Sequence, residues 1–105
     1  MRIYGLKACD TCRKAVKALN GAVFVDVRAE PLERAQIARF LDAFAAALVN
    51  TRSTTWRGLS QDERAEAHAD LLVRYPALMK RPVIEDDAGV LHLGWSKDVQ
   101  AALGV

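Results

Sequence analysis

Two short apolar-rich runs, Arg2 to Leu6 and Val23 to Val27, bracket a stretch in which Cys12, Ala15, Val16 and Leu19 recur at helical spacing. The two runs read as buried strands and the stretch between them as a helix. Asp10 or Thr11 can cap the start of that helix, and Asn20-Gly21 supplies the positive φ that ends it. A strand-helix-strand opening confines the first quarter of the chain to an α/β arrangement. If the strands are parallel neighbours, their crossover is right-handed. Cys9 then sits at the carboxyl end of the first strand, where sites in open α/β sheets form.

The middle of the chain reads as helical. Pro31 suits the first residue of a helix, and Ile37, Phe40, Leu41, Phe44, Ala45 and Leu48 continue one apolar face. Ser60-Gln61-Asp62-Glu63 has the capping-box pattern, and Ala65, Ala69, Leu72 and Tyr75 extend a further helical face toward Pro76. Val83-Ile84 and Val90 to Leu93 flank Asp86-Asp87-Ala88-Gly89, the composition of a hairpin turn. Ser96 caps a last helix ending near Gly104. The expected order is β-α-β, helices, then β-β-α, without repeats or linkers. At 105 residues this makes one domain spanning 1–105.

Hydrophobic residues at 51% and charged residues at 27% exclude disordered and low-complexity classes. The longest apolar run, Phe44 to Val49, falls far below the roughly 18 to 20 residues that cross a bilayer. The first residues lack the pattern of a secretory signal, so the expected location is the cytoplasm, with no membrane partner. A net charge of +2 gives no nucleic-acid footprint, and anion binding has to come from placed arginines.

The strongest chemical lead is Lys7-Ala8-Cys9-Asp10-Thr11-Cys12-Arg13-Lys14. Two cysteines three residues apart in a reducing compartment point to redox or metal chemistry more than to a structural disulfide. Free N–H groups and the dipole at a helix start favour a thiolate, and Lys7, Arg13 and Lys14 add positive charge. Cys9 is the expected nucleophile. Cys12, one turn on, is the expected resolving thiol that attacks a mixed disulfide. The alternative is an inert buried pair. A zinc site would need two further ligands from His68 and His92, which lack the close spacing of zinc modules, so no metal is expected.

Two other stretches carry weaker signals. Asn50-Thr51-Arg52-Ser53-Thr54-Thr55-Trp56-Arg57 places two arginine forks and several hydroxyls in a polar break between helices. It reads either as an anion-binding loop or as a solvated loop with Thr54 or Thr55 as a cap, with Trp56 in the core. Lys80-Arg81-Pro82-Val83 enters a strand through a proline, a position where a cis peptide can turn a backbone edge toward a site.

Taken in order, three stretches resemble the arsenate reductase (ArsC) family, in particular its Spx/YffB-like branch within the thioredoxin-like superfamily. They are Tyr4 to Ala15, Asn50 to Arg57, and Lys80 to Ile84 with Gly94-Trp95-Ser96 closing the chain. The resemblance implies a thioredoxin-like fold with a helical insertion. It implies that Cys9 attacks an oxidised sulfur or arsenic centre, and that Arg52 and Arg81 match anion-binding arginines. Pro82 matches a cis-proline beside the cysteine, and Arg13 a basic residue after the nucleophile, with Lys7 adding to the basic surroundings. Glutathione is the implied co-substrate, with glutaredoxin as an electron-donating partner, and no flavin, nicotinamide or metal is implied.

Three departures distinguish this chain. The closing stretch Leu93-Gly94-Trp95-Ser96 lacks the third arginine of the arsenate-reducing members, a loss of about 1.5 to 3 kcal/mol of charge-assisted hydrogen bonding to arsenate. Ser53 replaces a glycine, and Cys12 gives a C-x-x-C where YffB-like members often have none. The leading expectation is a monomeric glutathione-dependent thiol-disulfide reductase. Alternatives are an Spx-like redox-sensing regulator that binds the C-terminal domain of the α chain of RNA polymerase, and an arsenate reductase.

Overall fold

The computed structural model describes all residues, 1–105. Contacts divide the chain into two compact units, one made of Met1–Glu30 and Arg81–Val105, the other of Pro31–Lys80.

The first unit holds four strands, β1 (Arg2–Gly5), β2 (Val23–Asp26), β3 (Val83–Glu85) and β4 (Leu91–Leu93), in the sheet order β2-β1-β3-β4. β1 pairs parallel with β2, as expected of the opening β-α-β, and antiparallel with β3, which forms the expected hairpin with β4. β1 is the central strand, and Ile3, Tyr4 and Gly5 are buried on both faces of the sheet. Helix α1 (Asp10–Ala18) connects β1 to β2, and α6 (Lys97–Ala102) closes the chain with Ser96 Oγ accepting from the Val99 N–H at 3.2 Å. Ile3, Ala15, Leu19 and Ile84 form the core, with Met1, Phe24, Trp95 and Leu103 packed around it. Gly21, at φ 86°, ends the α1 segment, as the Asn20-Gly21 pair predicts.

The second unit is the helical insertion. It contains α2 (Arg34–Phe44), α3 (Thr54–Arg57), α4 (Gln61–Arg64) and α5 (His68–Arg74), with 3-10 turns at Ala45–Leu48 and Pro76–Leu78. α2 packs on α5, and Ile37, Phe40, Leu71 and Leu72 are among its buried residues. An antiparallel bridge between Val49 and Met79, with Asn50 N–H on Leu78 O at 2.8 Å, ties the middle of the insertion to its C-terminal end.

Three expectations about this unit are corrected. Pro31 does not open a helix: α2 begins at Arg34 with Glu33 as its extended cap residue. The apolar face from Ile37 to Leu48 does not belong to one helix either. Ala45 takes φ 51° and ψ −137°, breaking α2 after Phe44, while Leu48 still reaches the interior from the 3-10 turn. The face from Ser60 to Tyr75 is likewise split, between α4 and α5. The capping box forms as the sequence indicates, Ser60 Oγ accepting from Glu63 N–H at 3.1 Å and Glu63 Oε1 from Ser60 N–H at 3.1 Å.

A side-chain network explains the second break. Arg74 donates to Glu66 at 2.8 Å and to Glu63 at 3.3 Å, and Tyr75 Oη donates to Glu63 at 2.7 Å. In a continuous helix rising 1.5 Å per residue, Glu63 and Arg74 would lie roughly 16 Å apart. The network therefore requires the chain to fold back between α4 and α5, and Ala67 in extended conformation supplies the bend.

Candidate active site

The cysteine segment leaves the sheet at the end of β1 and enters α1 with Cys9 as the cap residue. Its backbone is held at several points. Cys9 N–H donates to Leu6 O at 3.1 Å, and Arg13 N–H to Cys9 O at 3.0 Å. Lys7 is gripped from both sides: its N–H donates to Asp26 Oδ2 at 3.1 Å, and its carbonyl accepts from Arg13 Nε at 3.0 Å. The other Asp26 oxygen accepts from the N–H groups of Arg28 and Ala29 at 2.9 and 3.2 Å. One carboxylate at the end of β2 thus fixes two loops. The backbone N–H groups of Lys7, Ala29 and Arg28, with the nearby Lys7 charge, outweigh its modest desolvation and hold its pKa below the ordinary value.

Cys9 is partly exposed and Cys12 is buried, with 1% of its surface accessible. Glycine at position 5 makes the burial of Cys12 possible. A Cβ there would overlap Cys12 Sγ and crowd its Cβ at 3.2 Å, so only a residue without a side chain lets the sulfur lie against the end of β1.

Arg81 and Pro82 reach the same place through β3. The antiparallel register pairs Tyr4 with Val83, and one further step sets Pro82 opposite Gly5. The Arg81–Pro82 peptide is cis, as its position at the strand entrance allows. Pro82 is buried, and its carbonyl accepts from the N–H of Gly94 at 2.8 Å, so the closing Gly94-Trp95-Ser96 stretch is tied to this turn.

These neighbours push the two thiols in opposite directions. Partial burial raises the Cys9 pKa, but interactions with the Cys12 amide, the Cys12 thiol and the Arg81 guanidinium outweigh it and leave the pKa below the ordinary 9.0. The amide contact is looser than a cap hydrogen bond, which no side chain closes at this helix start. Burial dominates at Cys12. With the neighbouring Cys9 sulfur adding to it, and the Leu6 backbone and Arg81 only partly opposing, the thiol is pushed up to about 11. The pair is divided into a sulfur prepared to be a thiolate and one that keeps its proton and donates it toward the first.

The remaining residues singled out by the sequence fall as follows. Lys7 is exposed beside the segment. The Arg13 guanidinium faces Lys7 O and, at 3.4 Å, Asp10 Oδ1, with 65% of the side chain accessible. Arg52 is exposed in the second unit, its N–H on Asn50 Oδ1 at 3.0 Å, just ahead of α3. The Asn50–Arg57 stretch is therefore partly helical, and its cap is Ser53 rather than Thr54 or Thr55. Ser53 Oγ accepts from Trp56 N–H at 3.1 Å and donates to Asn50 O at 2.8 Å. The hydroxyl that departs from the glycine pattern thus has a structural use. His92 pairs with Asp86 across the hairpin at 3.1 Å, and His68 lies in α5. No helix is long and apolar enough to cross a membrane.

Gly5 and Asp26 were not picked out by sequence reasoning. A glycine ending a buried strand is a recognisable sign of close approach. Asp26 is one acidic residue among 13, and nothing local marks it as the one that faces two loops.

The comparisons with known proteins agree with this geometry. The profile of the ArsC family matches residues 4–103. A Haemophilus influenzae protein described as uncharacterized is 37% identical over 111 residues, covering 95% of this chain and 96% of that one. Among solved structures, a protein called YFFB superposes with a TM-score of 0.82 at 28% identity, over 96% of each chain. An arsenate reductase (ArsC) related protein from Brucella melitensis matches with a TM-score of 0.72 at 32% identity, over 99% of this chain and 94% of that one. A possible arsenate reductase from Streptococcus mutans shares the fold, with a TM-score of 0.72 at 23% identity over 91% of each chain. With a thioredoxin-like sheet, a helical insertion and a family match over nearly its whole length, the chain belongs to the ArsC family.

Proposed function

We propose that the protein is an oxidoreductase acting on sulfur, a glutathione-dependent thiol-disulfide reductase with Cys9 as its nucleophile. The observation that carries this reading is the placement of Cys9, partly exposed as the cap residue of α1 with Cys12 buried within the next turn, where Cys12 and the Arg81 guanidinium favour its thiolate. In an inert core pair both sulfurs would be buried, and Cys9 is not.

In the proposed reaction the Cys9 thiolate attacks the glutathione sulfur of a glutathione mixed disulfide. A bond forms from Cys9 to that sulfur, the S–S bond breaks, and the departing thiolate takes a proton from solvent. The negative charge on Cys9 disappears in this step. Cys9 is one of the groups that raises the Cys12 pKa, so forming the mixed disulfide makes Cys12 easier to deprotonate at the moment a second thiolate is required. Either Cys12 or an incoming glutathione thiolate then attacks the Cys9-bound disulfide. Glutathione attack regenerates Cys9 and releases glutathione disulfide. Cys12 attack leaves a Cys9–Cys12 disulfide for two glutathiones, or glutaredoxin, to reduce.

Arg81 supports the thiolate and offers charge for a carboxylate of glutathione or substrate. Arg52, in the other unit, is proposed as an anion-binding arginine on its match to the family pattern alone. Arg13 acts by holding the Lys7 carbonyl and so the approach to Cys9, a positioning role. Lys7 adds exposed positive charge for an anionic substrate. The cis-Pro82 turn presents a backbone edge beside the sulfurs. The setting is the reducing cytoplasm, with the protein acting as a monomer.

The test is NADPH oxidation coupled through glutathione reductase, with glutathione and a small glutathione mixed disulfide, comparing wild type with Cys9→Ser. Turnover above the glutathione background that disappears in Cys9→Ser is expected, and turnover that survives the substitution overturns the mechanism. If wild type gives none, the same sulfur pair supports the redox-sensing reading. That reading is tested by pull-down of the C-terminal domain of the polymerase α chain with oxidised and reduced protein. Arsenate supplied as the oxidant is expected to turn over poorly, because the closing stretch lacks an arginine.

A further inference from the structure

One side of α1 carries an apolar surface, at Val16, that the sulfur chemistry does not use, next to Lys7, Cys12 and Arg13, which it does. Cys12, Ala15 and Leu19 face the core, but Val16 does not: 39% of it is accessible, and it lies between Arg13 and Lys17 in sequence. It belongs to a cleft of about 320 Å³ whose apolar floor is Leu6, Val16 and Phe24. The rim consists of Lys7, Arg13 and Lys17, and the Cys12 side chain also forms part of the wall. The cleft lies wholly within the first unit.

We propose that this cleft is a binding site for a small organic anion with an apolar body, such as a medium-chain or aromatic carboxylate. The volume lies at the small end of ligand pockets and suits a compact molecule. The apolar floor favours a hydrocarbon body, since covering Val16 and Phe24 removes apolar surface from water.

The charge balance favours an anionic head. Of the three cations that line the cleft, Arg13 is paired with Asp10 at 3.4 Å and Lys7 stands near the Asp26 carboxylate, which leaves Lys17 as the cation without a counter-charge. The Lys17 ammonium makes no ion pair in the structure, and a ligand carboxylate at the rim supplies its counter-charge. The inference does not depend on the reductase reading, because it concerns equilibrium binding and needs no turnover.

The test is titration of the uniformly ¹⁵N-labelled protein with octanoate, followed by amide chemical shifts, with octylamine as the oppositely charged probe of the same length. The expected result is saturable shifts clustered at Leu6, Val16, Lys17 and Phe24 with octanoate and none with octylamine. Val16→Glu, which places a carboxylate on the cleft floor at an accessible position, weakens octanoate by about tenfold or more. Val73→Glu, at an equally accessible valine in α5, leaves it unchanged. Lys17→Glu on the exposed rim gives the same loss as Val16→Glu and stands in if that variant does not fold. Equal binding of octylamine, octanoate affinity indifferent to both cleft substitutions, or no saturable shift overturns the proposal.

Discussion

The two units of this chain solve different folding problems. The Met1–Glu30 and Arg81–Val105 unit is assembled from the two ends of the sequence, and its geometry is set by ladders that join residues roughly 80 positions apart, such as Tyr4 with Val83. The Pro31–Lys80 unit is one contiguous stretch of helices between 4 and 11 residues long. Each is too short to persist alone in water, where about 12 to 15 residues are marginal. They are held by burial of Phe40, Leu71 and Leu78 and by caps and ion pairs. The contrast teaches where chemistry can be tuned. Sheet register places Arg81 and Pro82 against the cysteine segment, so the sulfur electrostatics depend on the first unit, while the second tolerates breaks in its helices as long as its core is filled.

Substitutions that cripple one unit and spare the other would sharpen this contrast. The largest effect is expected for Phe40→Ala, which empties a fully buried site in α2 and should cost about 3 to 5 kcal/mol in denaturant unfolding. In the fraction that remains folded, the pH midpoint of Cys9 alkylation should not move. A moved midpoint would show that the Cys9 thiolate does not depend on Cys12 and Arg81 alone.

Gly5→Ala is the counterpart in the first unit. The added methyl meets Cys12 Sγ, so a loss of about 1 to 3 kcal/mol is expected, as for overpacked cores. Here the Cys9 midpoint should rise, because the displaced Cys12 sulfur and amide no longer support the thiolate. A destabilised Gly5→Ala protein with an unmoved midpoint would show that Cys12 does not tune Cys9.

Ala45→Gly should act in the opposite direction. Alanine at φ 51° and ψ −137° occupies a region that favours glycine, and the substitution should add about 1 kcal/mol of stability without touching the cysteines. A loss of stability would mean that the α2 break is not at Ala45.

Arg81→Gln has the smallest expected effect on stability and a specific effect on chemistry. It removes a charge and a charge-assisted hydrogen bond from Cys9, so the alkylation midpoint should rise and the rate at pH 7 fall. An unchanged rate would remove Arg81 from the site.

The first unit is the more legible in sequence because its signals are local. The apolar runs of β1 and β2, the Asn20-Gly21 stop and the Ser96 cap each act within a few residues. The second unit misleads where apolar periodicity continues through a break. Ile37 to Leu48 keeps its face although Ala45 interrupts the helix, and Ser60 to Tyr75 keeps its face although Arg74 folds back on Glu63 and Glu66. Periodicity reports which side chains are buried and does not report that the backbone between them is one rod. At the site, the C-x-x-C and its place ahead of a helix can be read directly. The neighbourhood of Arg81 cannot, since it depends on β1–β3 pairing across the length of the chain, and its role enters through a family resemblance. Gly5 and Asp26 show the same limit: each acts through long-range contacts that no spacing encodes.

The opposed thiols also make a prediction about stability against pH. Cys9, whose pKa is lowered in the fold, contributes stability above the unfolded value near 9.0, and this contribution is lost as pH falls through the lowered folded pKa. Cys12 does the reverse: its contribution is complete below about 9 and is lost as pH rises through about 11. Replacing Cys12 with alanine should therefore flatten the alkaline limb of the stability profile between these values.

The most direct test of the central claim is an NMR titration of the reduced protein with ¹³C-labelled cysteine Cβ atoms, which follows both thiols separately. The account predicts that Cys9 ionises first, below 9.0, and that Cys12 follows near 11. Two thiols titrating together at the ordinary value, or Cys12 ionising before Cys9, would contradict it.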